Sequence, residues 1–220
     1  MKVNGIFPKT KQIFEEISKL DCIKDYCMIG GTALAMQIGH RFSEDLDFCI
    51  WKKSKQNNPE VNWPVIFNEL STLGNVQKNI LDLHHCDFHI DGVKITFFCN
   101  TIKEPENLQR IPILNHVVVA DPVSIGVMKV EVIQYRATHR DYYDIYSLLQ
   151  EGISLNTIIS RARKYLRYNF KTREIMSVLA CGSNFREDRG FHELLPKYNV
   201  SISDMKQFII EKIKEIQCEK

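Results

Sequence analysis

Met28-Ile29-Gly30-Gly31-Thr32-Ala33-Leu34-Ala35-Met36-Gln37-Ile38-Gly39-His40-Arg41-Phe42-Ser43-Glu44-Asp45-Leu46-Asp47-Phe48-Cys49-Ile50-Trp51 is the stretch that decides how this chain folds. Tyr26 to Ile29 reads as a short buried strand running into a glycine pair. Glycine tolerates positive φ and lets a ligand approach the main chain closely. Thr32 to Ile38 are good helix formers, and Gly39 stands where a helix stops. Unpaired N–H groups at the start of such a helix, with its dipole, favour an anion. Ser43 to Trp51 then reads as a strand, whose side chains alternate between faces. Asp45 and Asp47 accordingly share one face, and Leu46, Phe48 and Ile50 share the other. Two carboxylates that close repel unless a cation sits between them. Mg²⁺ suits the position, because it takes carboxylate oxygens together with substrate phosphates. The bland reading is a helix and an edge strand with two surface acids. The order strand, Gly-Gly, helix, Asp-x-Asp strand favours the functional one.

A second segment carries charge in an apolar setting. Lys129 lies among Ile125, Val127, Met128, Val130, Val132 and Ile133, with Arg136 following. On a helix Lys129 and Arg136 are two turns apart and share a face. Arg140-Asp141-Tyr142-Tyr143-Asp144-Ile145-Tyr146 comes next, with Asp141 and Asp144 also on one face. Lys129 and Arg136 reaching toward the Asp45/Asp47 cleft would clamp a triphosphate and offset charge during transfer. Salt bridges between packed helices are the competing reading for Arg140, Asp141 and Asp144. The tyrosines read as packing rather than as stacking platforms.

These two segments resemble the AbiEii/AbiGii-type nucleotidyltransferases of the DNA polymerase β-like superfamily, several of which are toxins of bacterial toxin–antitoxin or phage-abortive systems. The likeness rests on Gly30-Gly31-Thr32-Ala33-Leu34-Ala35 with Gly39-His40-Arg41-x-Ser43-x-Asp45-Leu46-Asp47-Phe48, and on Met128-Lys129 through Arg136 with Arg140-Asp141-x-x-Asp144. It covers about residues 26–150. The resemblance implies an α+β, polymerase β-like mixed sheet with flanking helices, followed by a helical C-terminal half. It also implies transfer of a nucleotidyl group from an NTP to RNA such as tRNA, or to a protein, with a cognate antitoxin as partner. Asp45 and Asp47 would hold Mg²⁺ or Mn²⁺, and Gly30, Gly31, Thr32, Arg41 and Ser43 would surround the phosphates. Lys129 and Arg136 would neutralise the triphosphate, and Asp141 or Asp144 would orient them or the acceptor.

One departure concerns a third acid. Members of the superfamily often place one on a later strand, and the strand here, Val93-Lys94-Ile95-Thr96-Phe97-Phe98, carries none. Thr96 occupies the place. Asp87 and Asp91 are nearby, but Asp91 belongs to the Asp91-Gly92 turn, where Asp is favoured locally. The general base is thereby in doubt, with Asp91 or Asp141 left to assist. Two rival functions follow: a catalytically weak nucleotide-binding module, and an antibiotic-modifying small-molecule nucleotidyltransferase.

With 220 residues, 44% of them hydrophobic, the chain can bury a proper core. A formal charge of +2 implies no global pull toward nucleic acid. Seven cysteines without a paired C-x-x-C spacing suit reduced thiols in a cytoplasm. The N-terminus reads as lacking a signal peptide, and no apolar run approaches membrane-spanning length. A cytoplasmic location and no membrane partner are the expectation.

Helical periodicity covers residues 9–20, and Val61 to Leu73 reads as a helix. Strands are expected over 79–83, 85–90, 93–99 and 117–120, with a tight turn at Asp91-Gly92, and residues 103–112 read as a loop. After Asp121-Pro122, an N-cap and first-turn pair, everything reads helical: 122–136, 140–150, 154–168, 172–181 and 201–217. A boundary near residue 120 therefore separates an α/β core, 1–120, from a helical domain, 121–220, packed on it.

His84-His85-Cys86-Asp87-Phe88-His89 puts His85, Asp87 and His89 on one strand face. The spacing lacks the paired ligands of structural zinc and reads as the open face of a hairpin. Arg161, Arg163, Lys164, Arg167, Lys171 and Arg173, interleaved with Tyr165, Tyr168 and Phe170, suit either an RNA backbone or the solvated face of a helix.

Overall fold

The computed structural model describes residues 4–52, 59–105, 107–166, 171–181, 185–186 and 188–218. The chain divides into two compact units. One takes in the residues up to Gln37 with Phe42–Asp121; the other takes Ile38–Arg41 with the residues from Pro122 onward.

The first unit is built on a seven-stranded mixed sheet of order β3-β4-β5-β2-β1-β7-β6. In chain order its elements are α1 (Pro8–Ile17), β1 (Cys27–Ile29), α2 (Gly30–Ile38), β2 (Leu46–Lys52), α3 (Trp63–Leu70), β3 (Val76–Ile80), β4 (His85–Ile90), β5 (Val93–Lys103), β6 (Arg110–Leu114) and β7 (Val117–Ala120). The central strands explain themselves. β1 is apolar and buried throughout. One face of β2, β4 and β5 stacks Phe48 on Phe97, with Phe88 edge-on to Phe97. Asp91 and Gly92 both have positive φ, as a type I′ hairpin turn requires.

Two strand expectations are corrected. Residues 103–112 are not all loop, because β6 begins at Arg110. Pro112 sits inside that strand, next to a register shift. β6 is an edge strand, so the N–H that proline lacks has no ladder partner to lose. β2 starts at Leu46 rather than Ser43. The main-chain groups before it are engaged elsewhere, as described below.

The second unit is formed by α4 (Pro122–Ile133), α5 (His139–Gln150), α6 (Leu155–Leu166), α7 (Thr172–Cys181) and α8 (Ile202–Cys218). Gly126 on α4 lets α5 and α6 come close: a Cβ there would stand 3.0 Å from both Leu148 Cδ1 and Ile158 Cδ1. Not everything here is helical. A two-residue pair joins β8 (Ala137–Thr138) to β9 (Phe185–Arg186), and Phe191–Leu194 is a 3₁₀ turn. The helix expected over 122–136 stops at Ile133, because Thr138 is needed as the N-cap of α5. Its hydroxyl accepts from the Asp141 N–H, and the Asp141 carboxylate accepts from the Thr138 N–H. No described helix is long and apolar enough to cross a membrane.

Candidate active site

In the first unit β1 passes into α2 with no intervening loop, and Gly30 makes the turn at φ +80°. β1 lies antiparallel to β2 with Ile29 opposite Asp47, which brings the Asp47 side chain against the bend. A Cβ built on Gly30 would lie 2.6 Å from Asp47 Oδ2. The carboxylate thus fills the space a side chain would take, beside the first N–H groups of α2. Those N–H groups are left over by helix geometry and favour negative charge. Gly31 follows in the same first turn.

Asp45 is exposed and sits one residue before β2, so strand alternation does not place it; main-chain hydrogen bonds do. The Thr32 hydroxyl donates to the Asp45 carbonyl. Thr32 has one proton, so the Ser43 hydroxyl at 2.7 Å donates to it in turn. From the other side the Gly5 carbonyl accepts the Ser43 N–H at 3.0 Å, and the Thr10 hydroxyl donates to the Glu44 carbonyl at 3.2 Å. Thr32 is 1% exposed, and both its hydroxyl and that of Ser43 are spent holding this segment. Both hydroxyls, expected around the phosphates, here support the segment that carries Asp45. Gly5 and Thr10 had no motif to announce them.

Across the sheet Asp47 pairs with Thr96 on β5, and Thr96 pairs with Asp87 on β4. Partners in register point to the same face, so the three form a row. Thr96 Oγ1 donates to Asp87 Oδ1 at 2.9 Å, and Lys94 Nζ is 3.1 Å from Asp87 Oδ2. His85 Nε2 lies 3.3 Å from Oδ1. Burial pushes the Asp87 carboxyl up, but the hydrogen bonds from Lys94 and Thr96, with the Lys94 and His85 charges, hold it below the usual range. Asp91 is four residues further along β4's hairpin, about 13 Å from that row by strand rise, and sits in the turn. It cannot assist at Asp47. Among the described residues no group of three or more His, Cys, Asp or Glu side chains could hold a metal. As a donor set, the two aspartates Asp45 and Asp47 nevertheless suit a Mg²⁺ or Mn²⁺ ion that takes its remaining ligands from water and phosphate.

The second unit holds a charged cluster. Arg41 grips Asp144 along one edge of its guanidinium, Nε to Oδ1 at 2.8 Å and Nη2 to Oδ2 at 3.2 Å. His40 Nε2 is 2.7 Å from Oδ1, and Lys129 Nζ is 2.7 Å from Oδ2. Lys129 also meets Asp141 Oδ1 at 2.8 Å, while Thr138 donates to Asp141 Oδ2 at 2.7 Å. Asp144 is fully buried and Arg41 is 3% exposed. Burial opposes every charge here, but Arg41 and Lys129 hold the Asp144 carboxyl well below its ordinary range. Lys129 likewise holds Asp141 down. Both cations are raised in return, against burial, by the two carboxylates. Burial lowers His40, outweighing Asp144, and favours the neutral ring. A carboxylate only accepts, so Nε2 carries the proton; the buried Nδ1 finds no hydrogen-bond partner among the described residues.

The four charges of Arg41, Lys129, Asp141 and Asp144 balance. Arg41, expected around the phosphates, is committed to Asp144, and Lys129 is shared between two acids. Arg136 lies beyond the end of α4, 64% exposed, with Nε 3.8 Å from Asp141 Oδ2. Arg140 pairs with Asp188. Tyr142, Tyr143 and Tyr146 are buried packing residues. On α6, Ile158, Ile159, Ala162 and Leu166 turn inward while Arg163 and Lys164 are exposed. Arg167, Tyr168 and Phe170 lie outside the described residues.

Comparison with known proteins bears on these geometries. Residues 13–73 match the family model described as nucleotidyl transferase AbiEii toxin, Type IV TA system. Protein aq_aa25 of Aquifex aeolicus (strain VF5), itself uncharacterised, is 25% identical over 206 residues, covering 93% of this chain and 94% of that one. An H. pylori protein named as a nucleotidyltransferase superposes with TM-score 0.51 at 15% identity, over 96% of this chain and 98% of its own. MenT4, a nucleotidyltransferase toxin of Mycobacterium tuberculosis H37Rv, gives TM-score 0.57 at 14% identity, over 88% and 76%. These structural likenesses establish the polymerase β-like nucleotidyltransferase fold.

Proposed function

We propose, for a chain that carries the AbiEii nucleotidyltransferase toxin family's signature over residues 13–73, that it transfers a nucleotidyl group from an NTP to an acceptor in a metal-dependent reaction. The single observation behind this is the Asp47 carboxylate lodged against the positive-φ Gly30 at the start of α2. Asp45 and Asp47 are the ligands we assign to Mg²⁺ or Mn²⁺. Once bound, the ion would neutralise the phosphates and polarise the bond that breaks. Gly30 and Gly31 offer main-chain N–H groups to the phosphates, while Thr32 and Ser43 keep Asp45 in place. Lys129 and Arg136 are the cations we assign to the triphosphate. Lys129 is balanced by Asp141 and Asp144, so serving phosphate means exchanging one carboxylate partner for another anion. By family likeness the acceptor is RNA such as tRNA, or a protein, and a cognate antitoxin restrains the activity in a cytoplasmic setting.

Thr96 opposite Asp47, where an acid is common, favours a second reading: an NTP-binding module with little transfer. An antibiotic-modifying activity is the third possibility. Radiolabelled NTP incubated with total RNA, protein extract and aminoglycosides separates the three. Label in RNA or protein, lost in Asp47→Asn, supports the first reading. NTP binding with no labelled product selects the second, and labelled aminoglycoside the third. Full transfer by Asp47→Asn sinks the site assignment.

A further inference from the structure

We propose that Asp87, acting through the Thr96 hydroxyl, is a positioning residue for the divalent cation at Asp45 and Asp47. The inference rests on the metal reading above and assigns a part to a carboxylate one strand beyond Thr96.

Sheet register supplies the first step. Asp87, Thr96 and Asp47 are consecutive partners across β4, β5 and β2, each about 4.8 Å from the next. The row is polar where its neighbours on the opposite face are Phe88, Phe97 and Phe48. Asp87 is too far over to ligate an ion at Asp47 directly, and Thr96 stands between.

Proton direction supplies the second. A carboxylate in this environment only accepts, so the Thr96 proton points to Asp87 Oδ1. The hydroxyl oxygen is then left with its lone pairs free of that bond, and strand register makes Asp47 its neighbour on the same face. Thr96 becomes an oriented acceptor for a water hydrogen in a cation's hydration sphere. A hydroxyl without Asp87 could point its proton either way and would lose that orientation. Mg²⁺ keeps several waters when bound by few carboxylates, and outer hydrogen-bond partners of this kind tune metal affinity.

Charge supplies the third step and the control. Lys94 pairs with Asp87, so removing Asp87 alone would also leave a cation near the site. The Asp87→Leu/Lys94→Met double variant removes both charges together with the acceptor for Thr96, and isolates the effect that travels through its hydroxyl.

The test is a titration of the full-length protein with Mn²⁺ alone, following the paramagnetic resonance of free Mn²⁺. Variants are compared under conditions where circular dichroism shows them folded. Asp87→Leu, which leaves no acceptor for the Thr96 proton, and Thr96→Val each bind Mn²⁺ about tenfold more weakly than the parent, and combining them adds little, because they act through one hydrogen bond. Thr96→Ser, which keeps the hydroxyl, binds within about twofold of the parent on the same reasoning. Asp87→Leu/Lys94→Met stays weak. Parent-like binding by Thr96→Val overturns the inference, as does recovery of affinity in the double variant, which would reduce Asp87 to a countercharge for Lys94. Parent-like binding by Asp47→Asn is a different failure: it removes the metal reading itself, and this inference with it.

Discussion

Arg41 and Asp144, 103 residues apart in sequence, meet as a bidentate pair wholly shielded from water. Such a pair costs several kcal/mol per ion to desolvate and recovers that through Coulomb attraction and hydrogen bonds. Deleting one partner is therefore worse than never having had the pair. Asp144→Asn leaves Arg41 and Lys129 buried with one carboxylate, Asp141, between them. The expected loss is about 3–5 kcal/mol of unfolding free energy. Urea unfolding of the variant measures it, and a loss below about 1 kcal/mol would show the cluster to be solvated.

The same cluster makes stability depend on pH, and the signs agree. Asp141 and Asp144 are depressed in the folded protein, so their contribution is complete above the unfolded value of about 4 and is lost as pH falls through their folded values. His40 is also depressed. In the unfolded chain it takes a proton near pH 6.5, while the folded ring resists one. Stability thus declines as pH drops below about 6.5 and declines again in the carboxylate range. Thermal melts from pH 8 to pH 5 should show the first decline in the parent and a shallower one in His40→Asn. Identical profiles would place the titration on another histidine.

Gly30, which opens α2, and Gly39, which follows its last residue, separate a conformational cost from a site effect. Gly30 and Gly39 both have positive φ, +80° and +60°. Alanine in either position carries the left-handed penalty, about 1 kcal/mol. Only at Gly30 does the added methyl meet something, Asp47 Oδ2; at Gly39 nothing lies within 4 Å. Gly30→Ala must push the carboxylate aside, so transfer activity should fall at least tenfold, the factor that about 1.4 kcal/mol represents. Gly39→Ala should lose comparable stability and keep its activity. Equal activities in the two variants would detach Asp47 from the chemistry.

Local patterns were legible in the sequence and long-range pairings were not. Gly30-Gly31 after an apolar strand, and Asp91-Gly92 between two others, report their own backbone conformations. β6 escaped because Pro112 argues against a strand unless one knows it is an edge. Arg41 sat in a phosphate-site motif, and nothing nearby signals that its partner is Asp144. Thr138-x-x-Asp141 is a capping box readable from sequence; the apolar helical pattern before it masked the signal. Thr96 stands out in the sequence for the acid that is absent there. Its link to Asp87 needs the register of β4 on β5, which only the Asp91-Gly92 turn could have supplied.

Thr32 tests how the Asp-x-Asp segment is held. Its buried hydroxyl joins the Asp45 carbonyl to the Ser43 hydroxyl. Thr32→Val keeps the shape and removes both bonds, leaving Ser43 to find another partner. Unsatisfied buried groups of this kind cost about 1–3 kcal/mol. Because Asp45 is tethered by that carbonyl rather than by strand pairing, its carboxylate should wander. Activity at saturating Mg²⁺ should be largely retained, while the Mg²⁺ concentration for half-maximal activity rises several-fold. Thr32→Ser, which preserves the donor, should restore both stability and metal requirement to near the parent. If Thr32→Val instead loses activity at every Mg²⁺ concentration with its metal requirement unchanged, the hydroxyl is meeting phosphate after all.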